Sequence, residues 1–232
     1  NETNFKLDEA KFFAGHSLGE YTALTCSDVI SFEEALSLLK IRGKSMQEAV
    51  PKNQGGMVAI LGAEIEIINK LLKDNIKNFE CFLANDNSKG QIIISGKNDE
   101  LQKFSLILKE KKIKNLKLPV SAPFHCELMR EATIKMDKII NDQNIVTPNY
   151  KIISNVTAKE YQSTEEIKNL LVKQIESPVR WRESIEFMIL SGTNTFVEIG
   201  PGKVLSSLIK RINKDVKVLN IDTLEDIQGI NL

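Results

Sequence analysis

The segment KFFAGHSLGEYTAL (11–24) constrains this chain most, because it sets a Gly-x-Ser-x-Gly sequence between an apolar strand candidate and a helical stretch. KFFAG (11–15) reads as a buried strand, and a helix follows from about Leu18 to Cys26. A serine at such a strand-to-helix turn stands on a nucleophile elbow. The flanking glycines permit the sharp turn, which lifts the Ser17 hydroxyl out of the sheet. The helix N-terminus and the Leu18 N–H then face any developing oxyanion. A chance glycine-serine turn is the alternative, and the strand–turn–helix setting favours the nucleophile.

The remaining chain alternates strands and helices, the signature of a parallel α/β sheet. Ser31 and Glu34 form a capping box that opens a helix over about 32–48. KIISN (151–155), NTFVEIG (194–200) and VKVLNI (216–221) read as strands, with helices near 126–142, 164–176, 178–191 and 203–213. Ser177-Pro178 suits an N-cap followed by the first helical residue, and Gly192 suits a helix stop. The middle differs. MVAIL, EIEIINKLLKD, FECFLA, QIIIS, DELQKFSLILKEKK and NLKLPV run strand, helix, strand, strand, helix, strand, a ferredoxin-like βαββαβ order. The division expected is an α/β domain of residues 1–53 and 121–232, carrying an inserted small domain of residues 54–120. An RNA-binding βαββαβ module would need base-stacking aromatic residues that these strands lack.

The charge balance narrows the partners. With 31 basic and 31 acidic residues the net charge is zero, unlike a protein built to follow a phosphate backbone. No apolar run reaches the ~18–20 residues that span a bilayer. Cys26, Cys81 and Cys126 are scattered, form no CxxC pair and suit a reducing compartment without a zinc site. The sequence opens without an initiator Met or a signal peptide.

A nucleophilic serine needs a base, and the only histidines are His16 and His125. His16 precedes the serine in the elbow, so its ring is expected to leave in another direction. His125 lies where the last small-domain strand returns and a helix begins, whose positive end would favour a neutral imidazole. Glu127 and Glu198 are candidates for a third member, and a backbone carbonyl would serve as well. Arg42 follows Leu38 by four and Leu39 by three residues, so it points inward and requires an anionic partner or several acceptors. Spacing alone leaves a structural ion pair and a bidentate clamp on a substrate carboxylate equally open. Gln174, four past Leu170, also faces inward, where a helix-packing contact is the simpler reading. EIGPGKVL (198–205) fails the Walker and Rossmann spacings and reads as a tight strand-to-helix turn. The lysines at 109, 111, 112, 114 and 117 suit a solvated helix end, with an acidic partner as the alternative.

GHSLGEYTAL (15–24), IRGKSMQEAV (41–50), PVSAPFHCELM (119–129), SPVRW (177–181) and EIGPGKVL (198–205) together, in this order, resemble the bacterial malonyl-CoA:acyl carrier protein transacylases of fatty acid synthesis. The resemblance runs from Phe12 to about Asp222. It implies an α/β-hydrolase-like large domain with an inserted ferredoxin-like small domain. It further implies that Ser17 is malonylated, His125 is the base, Leu18 supplies an oxyanion N–H and Arg42 binds the malonyl carboxylate. Gln174 then orients His125 through its main-chain carbonyl, a dyad with no acid; Phe124 before His125 resembles the Phe-His pair associated with malonyl rather than methylmalonyl selection, and Gln91 lines the substrate cleft. Malonyl-CoA and acyl carrier protein are the implied partners of a monomeric, cytoplasmic enzyme that needs no cofactor or metal. Residues 1–14 contain no match to the family's Gly-Gln-Gly loop, the source of its second oxyanion donor. The expectation is therefore a chain lacking its N-terminal segment, with half an oxyanion hole. An esterase or thioesterase using the same serine, and an inactive carrier-binding chain, are the rivals.

Overall fold

The computed structural model describes residues 9–75 and 79–228; the opening polar stretch up to residue 8 lies outside the described residues. The elements follow as β1 (Phe12–Phe13), α1 (Leu18–Cys26), α2 (Phe32–Glu48), β2 (Gly55–Leu61), α3 (Ile65–Asp74), β3 (Cys81–Ser88), β4 (Gln91–Lys97), α4 (Asn98–Glu110) and β5 (Lys114–Lys117). After these come a 3-10 turn (Glu127–Met129), α5 (Arg130–Asn141), β6 (Lys151–Ile152), α6 (Thr164–Gln174), α7 (Trp181–Leu190), β7 (Thr195–Ile199), α8 (Val204–Ile212), β8 (Lys217–Ile221) and α9 (Leu224–Gln228). No helix among the described residues is long and apolar enough to cross a membrane.

The four middle strands form one sheet in the order β3-β4-β2-β5, every neighbour antiparallel, which is the ferredoxin-like arrangement. Alternation along β2 sends Val58 and Ile60 to one face and Met57 and Ala59 to the other. The first pair joins Ile92 and Ile94 against Ile68 and Leu71 of α3 and Leu101, Phe104 and Leu108 of α4. The second meets Ala84, Ile93, Leu118, Val120 and Phe124 on the opposite face. Burial on both faces explains why β2 reads as an unbroken apolar run. Lys114 and Lys117 lie on β5, the edge strand, where lysines discourage pairing with another chain.

Strand β3 differs from the sequence expectation. FECFLA placed a strand over 79–84, whereas β3 continues through Asn85, Asp86, Asn87 and Ser88, all buried. Hydrophobic periodicity cannot register these polar residues. The burial of two of them is balanced by partners from distant segments, His16 on Asn87 and Arg182 on Asp86.

The other strands form two parallel pairs, β1 with β6 and β7 with β8, the parallel pairing expected from alternating strands and helices. Side chains rather than a shared ladder unite them: Phe12, Ile153, Phe196 and Val218 share one apolar cluster with Trp181, Ile185, Leu208 and Ile209. A second cluster packs α1, α2, α5 and α6 together through Leu24, Leu38, Met136, Ile140 and Leu171. The capping box at Ser31 and Glu34 is formed in both directions. Gly192, at φ +92°, ends α7 with its N–H on the Ile189 carbonyl at 2.8 Å.

Ser177-Pro178 does not open α7, which starts at Trp181. The Val179 N–H donates to the Ala84 carbonyl at 2.8 Å, and the Val179 carbonyl accepts from the Asp86 N–H at 2.9 Å. Tertiary pairing with β3 therefore holds this segment extended, and local capping preference yields to two hydrogen bonds. The helix expected from about 126 likewise begins as a 3-10 turn and becomes α-helical only at Arg130.

Phe104 is fully buried beneath the small sheet. Phe104→Ala should destabilise the protein by about 3–5 kcal/mol in urea denaturation, the usual cost of an aromatic-sized cavity.

Candidate active site

The turn from β1 to α1 holds Ser17 at φ 54° and ψ −99°, a backbone conformation that non-glycine residues rarely adopt. Such strain costs of order 1–3 kcal/mol and persists only where the surroundings enforce it. Asn155, just past β6, enforces it here. Its Oδ1 accepts from the Ser17 N–H at 2.7 Å, and its Nδ2 donates to the Gly15 carbonyl at 2.7 Å. The two elbow glycines have different reasons. A Cβ on Gly15 would stand 1.9 Å from the Gly19 carbonyl oxygen, so strand and helix approach too closely for any side chain. A Cβ on Gly19 would meet open space. The Leu18 N–H has no hydrogen-bond acceptor among the described residues, and its side chain is exposed.

His125 reaches this serine from the segment before α5, and it too has a left-handed backbone, with φ 59°. Its Nε2 lies 2.8 Å from Ser17 Oγ, and its Nδ1 lies 2.8 Å from the main-chain carbonyl of Gln174. A carbonyl only accepts, so Nδ1 carries the proton and Nε2 presents its lone pair to the serine hydroxyl. Burial, helped by the nearby Arg42 charge, pushes the His125 pKa down to about 3. The imidazole is therefore neutral at physiological pH. Neither acidic candidate joins it. Glu127 is exposed, and the Glu198 carboxylate accepts from the Leu205 and Ser206 N–H groups at the start of α8.

Arg42 is buried on α2, and its Nη2 donates to Ser17 Oγ at 3.0 Å and to Gln174 Oε1 at 2.8 Å. Its Nε is buried without a partner. A guanidinium therefore meets the Ser17 hydroxyl directly. The Gln174 amide, inward as its spacing suggested, does more than pack helices: its Nε2 donates to the Ser17 carbonyl at 3.1 Å and to Glu20. His16 turns away from Ser17, as expected, to hydrogen-bond Asn87 at 2.8 Å and to lie against Trp181. Phe124 packs beside the site in two apolar clusters, and its carbonyl accepts from Ser95 Oγ at 2.5 Å. Gln91 is not brought to this group. It starts β4 and its Oε1 accepts from Arg211 of α8 at 2.7 Å.

Sequence reasoning missed Asn155 and Glu20. The Glu20 side chain is fully buried, where it accepts from the Asn155 N–H at 3.1 Å, the Tyr161 hydroxyl and Gln174 Nε2. Burial raises its pKa to about 7 against the pull of these donors and of Arg42. A signal existed: Ala23 and Leu24 follow Glu20 by three and four residues, the spacing that marked Arg42 as inward.

The His125 shift fixes a sign for pH dependence. Between its ordinary value of 6.5 and about 3, the unfolded chain binds a proton that the native site refuses, so stability present above pH 6.5 is lost on acidification. Glu20, raised from 4.5 to about 7, acts oppositely in the overlapping range. The difference between wild type and His125→Gln isolates the histidine. Wild type should lose up to ~1.4 kcal/mol more than the variant per pH unit of acidification below pH 6, read by urea denaturation.

Known proteins share this arrangement's sequence and shape. The profile of the acyl transferase domain family matches residues 8–225. The malonyl CoA-acyl carrier protein transacylase of Haemophilus influenzae is 38% identical over 218 residues, covering 94% of this chain and 70% of the relative. The solved malonyl CoA-acyl carrier protein transacylase of Clostridium perfringens superposes with a TM-score of 0.91 at 43% identity, covering 94% of this chain and 69% of that one. A malonyl-transacylase solved with a type II PKS acyl-carrier protein has a TM-score of 0.90 at 38% identity, covering 94% of this chain and 71% of that one. A strained serine paired with a histidine, on a chain related to these proteins over nearly its whole length, leads to one assignment: the chain belongs to the acyl transferase domain family.

Proposed function

We propose that this chain transfers a malonyl group from malonyl-CoA to the phosphopantetheine thiol of acyl carrier protein, by a ping-pong Ser-His mechanism serving fatty acid biosynthesis. The observation that carries this reading is the Arg42 guanidinium 3.0 Å from the nucleophile. A cation fixed beside the acyl-accepting oxygen matches an acyl group that ends in a carboxylate, and the Arg fork suits bidentate pairing. An esterase acting on simple esters has no use for it, and His125 leans on a carbonyl rather than on the acid that such a triad employs.

In the first half-reaction His125 Nε2 takes the Ser17 proton while Oγ attacks the thioester carbon. The Leu18 N–H donates to the oxyanion, and Arg42 exchanges its contact with Ser17 for the malonyl carboxylate. Collapse of the tetrahedral intermediate breaks the C–S bond, and the coenzyme A sulfur leaves with the proton from His125. In the second half-reaction His125 removes the proton of the carrier thiol, whose sulfur attacks the malonyl-serine, and Ser17 recovers its proton on departure. Arg42 also holds the acyl group where water would otherwise approach. Gln174 keeps His125 in the reactive tautomer through its carbonyl. Phe124 shapes the malonyl pocket from the small-domain side. Residues 1–53 and 121–232 serve as the catalytic domain and residues 54–120 as the inserted small domain, in a cytoplasmic monomer. The relative solved with an acyl-carrier protein supports that partner class.

Intact-mass spectrometry after brief mixing with malonyl-CoA should show one malonyl adduct, absent in Ser17→Ala. Arg42→Ala should lose preference for malonyl over acetyl by about 10- to 150-fold, the ~1.5–3 kcal/mol of a hydrogen bond to a charged group. An adduct surviving in Ser17→Ala, or equal uptake of acetyl by the wild type, overturns the assignment.

A further inference from the structure

Among the described residues Glu20 is the one fully buried carboxylate within hydrogen-bond reach of the groups around Ser17, and the mechanism above gives it no task. Its surroundings are specific. Oε1 accepts from the Asn155 N–H and the Tyr161 hydroxyl, and Oε2 accepts from Gln174 Nε2. The charged and titratable groups facing it are Arg42 from α2, Tyr21 from α1 and Tyr161 from the segment before α6.

The orientation of the Gln174 amide is decided here. Its Nε2 faces three acceptors: Glu20 Oε2, the Ser17 carbonyl at 3.1 Å and Asn155 Oδ1 at 3.5 Å. Its Oε1 faces the Arg42 guanidinium at 2.8 Å. Turning the amide over would set oxygen against three oxygens and –NH₂ against a guanidinium, so only one orientation is satisfied. Glu20 is the only ionisable acceptor of the three and anchors that choice. The same glutamine gives its main-chain carbonyl to His125 Nδ1. Glu20 thus reaches Arg42, one partner of Ser17, through the side-chain amide of Gln174.

We propose that Glu20 is a positioning residue of the acyl-transfer site: its carboxylate locks the Gln174 amide, which in turn aims Arg42 at Ser17 Oγ. The proposal rests on the acyl-transfer reading and adds a residue that touches neither substrate nor reacting atom. Its signature is selectivity. Damage to folding alone would lower malonyl and acetyl uptake together by reducing the active fraction, whereas a misaimed Arg42 lowers malonyl uptake selectively.

The test compares Ser17 acylation rates with malonyl-CoA and acetyl-CoA in wild type, Glu20→Gln, Arg42→Ala and the double variant. Glu20→Gln should reduce the malonyl-to-acetyl ratio about ten-fold, the worth of one hydrogen bond to a charged group. In the Arg42→Ala background it should change the ratio no further, because the two act in series. Tyr161→Phe, which removes one donor from the same carboxylate at constant shape, should shift the ratio the same way in a smaller step and covers the case in which Glu20→Gln does not fold. An unchanged ratio in a folded variant, or an equal loss with and without Arg42, overturns the proposal while leaving the wild-type assignment intact. A wild type that takes up no malonyl refutes the acyl-transfer reading instead. A crystal structure of the variant then decides the positioning role without activity: Arg42 retained on Gln174 Oε1 and Ser17 Oγ would overturn it.

Discussion

Asn155 holds the Ser17 backbone where a serine would not rest unaided, and the site depends on that grip. The amide side chain accepts from the Ser17 N–H and donates to the Gly15 carbonyl, so it closes the elbow from both sides. Its own N–H binds Glu20, which ties the end of β6 to the first turn of α1. The parallel pairing of β1 with β6 brings these segments together, and the absence of a side chain on Gly15 lets the helix start against the strand. Strain at Ser17 is thereby offset by a set of hydrogen bonds distributed over three elements.

Around that elbow burial is the leading influence on the protonation of the titratable groups. His125 is kept neutral by desolvation, with the Arg42 charge acting in the same direction. Arg42 is itself buried, and its charge is balanced at a distance by Glu20 rather than by a salt bridge at the serine. That separation leaves the guanidinium bound to neutral oxygens, Ser17 Oγ and Gln174 Oε1, which an incoming carboxylate can displace.

The small antiparallel sheet completes the enclosure. One face is sealed by α3 and α4, and the other turns Met57, Ala59 and Ile93 toward Phe124 beside His125. Its polar strand segment Asn85–Ser88 reaches the elbow through His16 and Asn87, and the Val179 backbone pairs with the same strand. Hydrogen bonds between buried polar groups, rather than apolar area alone, therefore fix how the sheet meets the catalytic segments.

The sequence by itself determined the elements whose information is local. Periodicity marked the amphipathic helices, Ser31 and Glu34 marked the start of α2, and Gly-x-Ser-x-Gly between strand and helix marked the nucleophile. The βαββαβ order of the middle segment was legible because each strand there carries an apolar face. Where polar atoms answered to distant partners, local reading stopped short. Ser177-Pro178 has good capping chemistry, yet pairing of Val179 with β3 overrides it, and Asn85–Ser88 is a strand that no hydrophobic pattern announces. Arg42 and Gln174 were recognisable as inward, but spacing could not say what they face. Only the tertiary structure decided that, because the acceptors lie 25 and 132 residues away along the chain and meet Arg42 through helix packing alone.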